Sequence, residues 1–424
     1  MYNMNIQKIN SLAGQMKKPL TVCVDISKAS FTWTRADGAE GVQRHDNAAV
    51  QSWLRVQRDD ARARGYAGVQ IVCESTSGYH KRLLRIARAE GCQTALVSAE
   101  QVKAMQVVES NDTGKSDTKD PRTMLLLVQL GKTLVDRQLG GEWAAMRELN
   151  CDYEHLERAS TQAKNRIHSI LLQLFPDLSF KKDWLFDGKA ARVILAEYGF
   201  DPYAIVGAGP AQVHQRLRQK GVQKKTIARL CSDAEQSILQ PSEALWREIR
   251  VGQLLNAYED LSVCQQRREK VRSRMIALLA TLQARGEVKL SAQKGLIGPF
   301  LLARIIAETG PLGDFKNLAQ LMRYAGMNLR MRQSGQFRGQ ERQAKRGRAP
   351  LRYVLAQAIL KLVVRTALYG PYYHAKRAAG MPGAVAMTAV ARKFLKLLFG
   401  LERSGQTFDP ARVFICQNQY AKAA

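Results

Sequence analysis

The sequence predicts an α/β domain followed by a mostly helical remainder, and three observations predict it. Leu20 to Ile26 and Val69 to Glu74 are short, nearly unbroken apolar runs, the pattern of strands buried on both faces. Strand signals stop after about residue 140. Beyond that point apolar residues recur at three- and four-residue spacing over two long stretches, the period of one helix face.

Residues 1–19 read as a polar tail. The strand Leu20 to Ile26 is followed by Phe31 to Thr34 and Gly41 to Arg44, with Ala36-Asp37-Gly38 as a hairpin turn between them. A helix from about Ala48 to Arg64 leads into the second buried strand, Val69 to Glu74. A helix over about Tyr79 to Ala89, a strand over Thr94 to Ser98 and a further helix complete an α/β domain spanning residues 20–138. Three strands followed by alternating helix and strand is the order of a ribonuclease-H-like mixed sheet flanked by helices.

Residues 139–287 carry the long helical pattern. Met146, Leu149, Tyr153, Leu156, Ala163, Ile167, Ile170 and Leu174 line one face and stop before Pro176, while Leu254, Tyr258, Leu261, Val271, Met275 and Leu278 line another. Such helices pair in coiled-coil fashion with each other or with another subunit. Between them, residues 177–245 form a smaller helical insertion rich in Lys and Arg, whose role is not legible. Residues 288–424 read as a helical domain, interrupted by the segment Arg330 to Arg352 with eight Lys or Arg and a single acid, Glu341.

A formal charge of +28 and a pI of about 10 exceed what solubility requires and suit a phosphate backbone, whose counterions the cations release. An anionic membrane would need a basic amphipathic anchor or a lipidation signal, and the sequence has neither. With no signal peptide and no apolar run long enough to span a bilayer, a cytoplasmic, nucleoid-associated protein is expected. The seven cysteines (Cys23, Cys73, Cys92, Cys151, Cys231, Cys264 and Cys416) are scattered, lie mostly in apolar surroundings and read as buried free thiols. The six histidines are equally dispersed, which argues against zinc.

Acids stand out against this basic background. Asp25 ends the first buried strand and Glu74 the second, and in a ribonuclease-H-like sheet these strands are neighbours. A carboxylate there is costly unless paired or bound to metal. Asp117 and Asp120 lie where a helix should start, and their i, i+3 spacing puts both on one face of its first turn. Four such acids would hold two divalent cations ~4 Å apart and polarise a phosphodiester. An all-oxygen set suits Mg2+ or Mn2+. Strand-end acids also cap helices, and Asp117 alone reads equally well as an N-cap. An actin-like ATPase also opens with a strand-end Asp, but no glycine-rich phosphate loop follows here.

Ser334 stands in Arg330-Met-Arg332-Gln-Ser334-Gly-Gln-Phe-Arg338-Gly, followed by Lys345-Arg346-Gly347-Arg348 and Leu351-Arg352. A hydroxyl beside a glycine among guanidinium groups suits attack on a phosphate, with the cations offsetting transition-state charge. A Ser-Gly in a basic loop is equally a plain phosphate-contacting turn. Arg330, Arg332, Arg338, Lys345, Arg346, Arg348 and Arg352 are the candidate nucleic-acid contacts.

These motifs together resemble the DEDD transposases of the insertion-sequence 110 family, relatives of the Piv-type DNA invertases. The four acids match in order and context: Asp25, Glu74 in Glu-Ser-Thr-Ser-Gly-Tyr, and Asp117-Thr-Lys-Asp120. The C-terminal half matches through Tyr324-Ala-Gly326-Met, Ser334-Gly, Lys345-x-Gly347-x-x-x-Leu351-Arg352, Arg392-Lys393 and Ser404 to Pro410. The resemblance implies a RuvC-like domain holding the metals through the four acids and a C-terminal transposase domain whose serine is the nucleophile. It further implies site halves drawn from different subunits of homodimers that assemble into tetramers, and a phosphoserine intermediate. A structured bridge RNA, encoded beside the gene, would pair with both donor and target double-stranded DNA. The chain departs from the family at Lys294-Gly-Leu-Ile-Gly298, where Pro-Gly-Ile-Gly is usual, and in its longer central helical region. Two alternatives stay open: a RuvC-like metal-dependent junction nuclease, which needs the acids without Ser334, and a non-catalytic nucleic-acid-binding scaffold, which needs neither.

Overall fold

A computed structural model describes residues 18–75, 78–110, 119–293, 295–330, 333–334, 337–339, 342–365 and 369–409. The chain divides into two units, Met1–Gln138 and Leu139–Ala424.

The first unit is built on a six-stranded sheet in the order β3-β2-β1-β4-β5-β6. Its strands are β1 (Leu20–Ile26), β2 (Ser30–Arg35), β3 (Glu40–Arg44), β4 (Val69–Glu74), β5 (Gln93–Val97) and the short edge strand β6 (Leu134–Val135). Strands β1, β4 and β5 run parallel, whereas β2, β3 and β6 pair antiparallel with their neighbours. Side chains alternate between the faces of a strand, so each face collects its own core. Leu20, Val22, Val24, Val69, Ile71 and Cys73 meet α1 (Asn47–Ala63) and α2 (Tyr79–Ala89) on one face. Cys23, Val72, Ala95 and Val97 meet Val102 of α3 (Ala99–Ser110) and Met124 and Leu127 of α4 (Lys119–Gln129) on the other. Apolar residues at both parities explain why β1 and β4 read as unbroken apolar runs. The edge strand β6 was not expected from the sequence. Its two residues, both exposed, carry too little pattern to announce a strand.

The second unit is organised by two long helices, α5 (Gly141–Leu174) and, after an insertion, α11 (Ala244–Ala284). They pack on each other and share both cores of the unit, so each is a partner of the other within the chain. Ile167, Ile170 and Leu174 of α5 and Leu254 and Leu261 of α11 join five insertion helices: α6 (Lys182–Asp187), α7 (Lys189–Tyr198), α8 (Pro202–Ala208), α9 (Pro210–Gln219) and α10 (Lys224–Ser237). The insertion is thus a helical cap with its own core.

Trp143, Met146 and Tyr153 of α5 and Met275, Leu279 and Leu282 of α11 join the C-terminal helices. These are α12 (Pro299–Thr309), α13 (Leu318–Ala325), α14 (Ala349–Arg365), α15 (Gly370–Ala378) and α16 (Gly383–Ser404). Between α13 and α14, four two-residue strands form nested ribbons, β7 (Leu329–Arg330) with β10 (Arg342–Gln343) and β8 (Gln333–Ser334) with β9 (Phe337–Arg338). Sequence periodicity misses these because two-residue strands have no period to read.

The thiols depart in part from expectation. Cys23, Cys73 and Cys92 are buried, but Cys151 is exposed and Cys231 and Cys264 are half-buried. Burial pushes the Cys23 and Cys73 thiols far above their ordinary range, so both stay protonated. Cys416 lies outside the described residues.

Candidate functional site

The acidic end of the sheet follows from register. Strands β1 and β4 pair in parallel with Cys23 opposite Val72 and Val24 opposite Cys73. One step further, at the C-terminal ends of both strands, Asp25 comes opposite Glu74. Asp25 shares its parity with Cys23 and Glu74 with Val72, so both point to the face covered by α3 and α4. Both are half-buried.

Helix α4 packs over β1, β2 and β4 on that face, and its first turn bears Asp120, also half-buried. Two contacts fix this turn. Gln106 of α3 donates its amide to Asp120 Oδ1, and Arg122 reaches Glu40 of β3 at 2.7 Å. Asp25, Glu74 and Asp120 thus belong to one face of one sheet, while Asp117 lies outside the described residues.

The donors are carboxylates, the hard oxygen ligands that divalent magnesium or manganese prefers, and Asp25 and Glu74 stand in register as a pair. Among the described residues, no three His, Cys, Asp or Glu side chains gather as a group able to hold a metal ion. The pair therefore fits such an ion in donor type and placement, and a full ligand set needs more than the described acids.

The basic segment is a ribbon with an anchored root. Ser334 pairs with Phe337, and Gln333 with Arg338, which puts the serine at the inner end of the β8–β9 ladder. Arg330 pairs with Arg342 in the outer ladder. Arg332 lies outside the described residues, and of Arg330, Ser334 and Arg338 the backbone alone is described.

At the root, two turns lie back to back. Gly326 caps α13 at φ +67° and Gly347 sits at φ +148°. A Cβ on Gly347 would stand 2.4 Å from the Gly326 nitrogen, so only glycine fits. Arg348 N donates to Tyr324 O at 2.7 Å, Ala344 N to Asn328 O at 2.8 Å, and Arg352 Nη1 to Ala325 O at 3.1 Å. This contact explains the Gly326 and Gly347 positions in physical terms.

Beneath the root runs a buried polar network. Helix α12 is buried on every side from Leu302 to Thr309, and this span includes Arg304 and Glu308, each 2% exposed. Charges there must be paired. Glu308 accepts from Arg348 Nε at one oxygen and from Asn150 Nδ2 at 2.8 Å at the other. Asn150 Oδ1 accepts from Arg304 Nε at 2.7 Å, and Arg304 Nη2 lies 3.5 Å from Glu154. Arg147 donates to the Glu308 carbonyl and to the Tyr324 hydroxyl, both at 3.0 Å. Burial pulls the Arg147 guanidinium below its ordinary pKa and pushes the Glu154 carboxyl up, the latter opposed by Arg304.

The candidate nucleic-acid contacts accordingly differ in placement. Lys345 and Arg346 are exposed, and Lys345 sits at φ +55°, turned outward at the tip of the root. Arg348 and Arg352 are engaged inward by Glu308 and by the α13 carbonyl.

At the start of α12, Gln293 and Ile297 form an antiparallel bridge, with Gln293 N to Ile297 O at 3.0 Å. Gly295 turns the chain at φ +84°, and Gly298 and Pro299 open the helix. The departure from the usual Pro-Gly-Ile-Gly sequence therefore leaves a hairpin in place. Beside it lies a cleft of about 890 Å³ whose cationic lining includes Arg268, Arg272 and Lys361.

Residues 22–176 match the DEDD transposases of IS110 type, and residues 290–374 match the transposases of the IS116/IS110/IS902 family. These two matches take in the acid-bearing sheet and the serine-bearing ribbon, and together more than half of the chain. The chain belongs to the IS110 family of transposases. A similar protein is the insertion element IS116 uncharacterized 44.8 kDa protein of Streptomyces clavuligerus, 24% identical over 397 residues that cover 92% of this chain and 96% of its own length. As a transposase it acts on DNA, which the net charge of +28 suits. Among the described residues no helix is long and apolar enough to cross a membrane.

What the sequence reading of this transposase missed is the network. Its signal was present: Arg304 and Glu308 stand four residues apart inside Phe300-Leu-Leu-Ala-Arg-Ile-Ile-Ala-Glu, the one charged pair in an otherwise apolar run. Charges four apart on an apolar helix have to find partners inside the fold.

Proposed function

We propose that this transposase cuts and rejoins DNA with two chemical groups, the carboxylates Asp25, Glu74, Asp117 and Asp120 on a RuvC-like sheet and the hydroxyl of Ser334 on the basic ribbon. The observation that carries the reading is the register of Asp25 against Glu74 on the face over which the Asp120 helix packs. Strand order supports the ribonuclease-H-like assignment: antiparallel β3-β2-β1 joined to parallel β1-β4-β5. A bound Mg2+ or Mn2+ would supply Lewis-acid polarisation of the phosphodiester.

Ser334 Oγ forms a phosphoester bond to phosphorus as the bond from phosphorus to the leaving deoxyribose oxygen breaks. The serine proton is released and the leaving oxygen takes one up. Reversal, with a strand end of the other DNA as acceptor, rejoins the backbone and frees the serine. Lys345 and Arg346 hold the strand by its phosphates. The paired helices α5 and α11 supply a coiled-coil-like spine. Resemblance to the family supports the rest of the proposal, namely homodimers assembling to tetramers and a structured guide RNA that pairs with donor and target DNA.

Purification from cells carrying the native flanking DNA, followed by sequencing of co-purified RNA, tests the guided reading. One discrete structured RNA mapping beside the gene supports it, and heterogeneous RNA or none returns recognition to the protein alone. Ser334→Ala separates the transposase mechanism from a junction nuclease. Loss of joining is expected, whereas normal cleavage by metal-activated water in that variant supports the nuclease.

A further inference from the structure

Glu308 sits where three elements meet, although it belongs to neither of the proposed chemical groups. Its Oε2 accepts from Arg348 at the root of the ribbon, its Oε1 accepts from Asn150 of α5, and its carbonyl accepts from Tyr324 of α13 at 2.9 Å. It is 2% exposed, whereas the Arg348 side chain is 29% exposed. The buried partner is therefore the fixed one and Arg348 is held to it. Arg348 in turn ties backbone to backbone, with its N donating to Tyr324 O one residue beyond Gly347. The four short strands have only two-residue ladders, too few hydrogen bonds to define the ribbon without its root.

We propose that Glu308 is a positioning residue for the Ser334 ribbon, acting through Arg348. Arg348 on this account orients the serine from behind and makes no contact with phosphate. Asn150 extends the same anchor to α5, so a shift of that helix is felt at the serine. The inference rests on the reading of Ser334 as nucleophile for its catalytic meaning, but the anchoring itself can be tested without it.

The test compares wild type with Glu308→Gln, Arg348→Met and the double variant, using limited trypsin digestion and formation of a protein–DNA adduct in the full protein. Cleavage after Arg338 in the ribbon is normalised to cleavage after Arg218, an exposed residue of α9 far along the chain. Losing one charge of a buried pair destabilises, whereas losing both is close to neutral. The double variant is therefore expected to regain most of the melting temperature that the single variants lose. Normalised cleavage after Arg338 is nonetheless expected to stay raised at least about ten-fold in the double variant, with adduct formation down by a similar factor. Cleavage rising equally at Arg338 and Arg218, or ribbon protection returning together with the melting temperature, would overturn the proposal. If wild type forms no adduct at Ser334, it is the nucleophile assignment that fails, and the cleavage ratio alone decides the anchoring.

Discussion

The two regions proposed to carry the chemistry are held in opposite ways. Asp25 and Glu74 end strands that are hydrogen-bonded to each other and covered on both faces by helices, so the backbone ladder alone fixes their spacing. Ser334 stands in a two-residue ladder on a ribbon, and its placement depends on a glycine pair and a half-buried ion pair at the root. Backbone ladders tolerate most side-chain changes, because the bonds they make do not involve side chains. A root built from one carboxylate and one guanidinium does not. Conservative changes around the acids should therefore alter chemistry and leave the fold, whereas conservative changes around the ribbon root should alter fold and chemistry together.

The largest effect that would sharpen this contrast is at the acids. Asp25→Asn and Glu74→Gln are each expected to lower metal-dependent DNA strand cleavage by about a thousand-fold or more, with melting temperature nearly unchanged. Full activity in either variant breaks the carboxylate assignment. At the root, Glu308→Ala is expected to cost about 1–3 kcal/mol of unfolding free energy in urea titrations, because it leaves Arg348 and the buried Asn150 amide without their acceptor. Gly347→Ala should cost about 1–3 kcal/mol through its positive φ and its contact with Gly326. A variant at either position that melts like wild type and keeps the ribbon as protected from trypsin would show that the root is not what holds the ribbon.

Smaller effects are expected at the surface. Lys345→Ala and Arg346→Ala should each weaken DNA binding a few-fold and lower the slope of log affinity against log salt by about one, read by fluorescence anisotropy. The smallest change lies in the first unit, away from the acids. Arg35 and Arg64 hold the Asp37 carboxyl well below the usual carboxylate range. Because the folded value is depressed, the stabilisation is present above the ordinary carboxylate pKa and is lost as pH falls through the folded one. Asp37→Asn should thus lower the unfolding free energy at neutral pH by about 1 kcal/mol or less, and the difference should shrink in strong acid. A difference independent of pH would assign that cost to packing.

Legibility in the sequence followed the same division. Strands β1 and β4 announced themselves because apolar residues occupy both parities, and a lone acid at the end of each run stood out against them. Helices α5 and α11 were legible through their period, but their partner was not, because their apolar faces also meet the insertion helices and the C-terminal helices. The ribbon was visible as charge and glycine but not as structure, since ladders of two residues leave no periodic trace. The root was hidden for a different reason. Asn150, Glu308 and Arg348 come from three distant segments, and only the fold shows that they meet.

Ser334 is proposed as the group that takes DNA covalently. Incubation with DNA and magnesium, denaturation, nuclease digestion and mass spectrometry of the tryptic peptides would read it directly. A nucleotide-modified peptide with the added mass on Ser334 is expected, absent from Ser334→Ala and from Asp25→Asn. Attachment at another residue, or strand cleavage at full rate with no attached nucleotide at all, would contradict it.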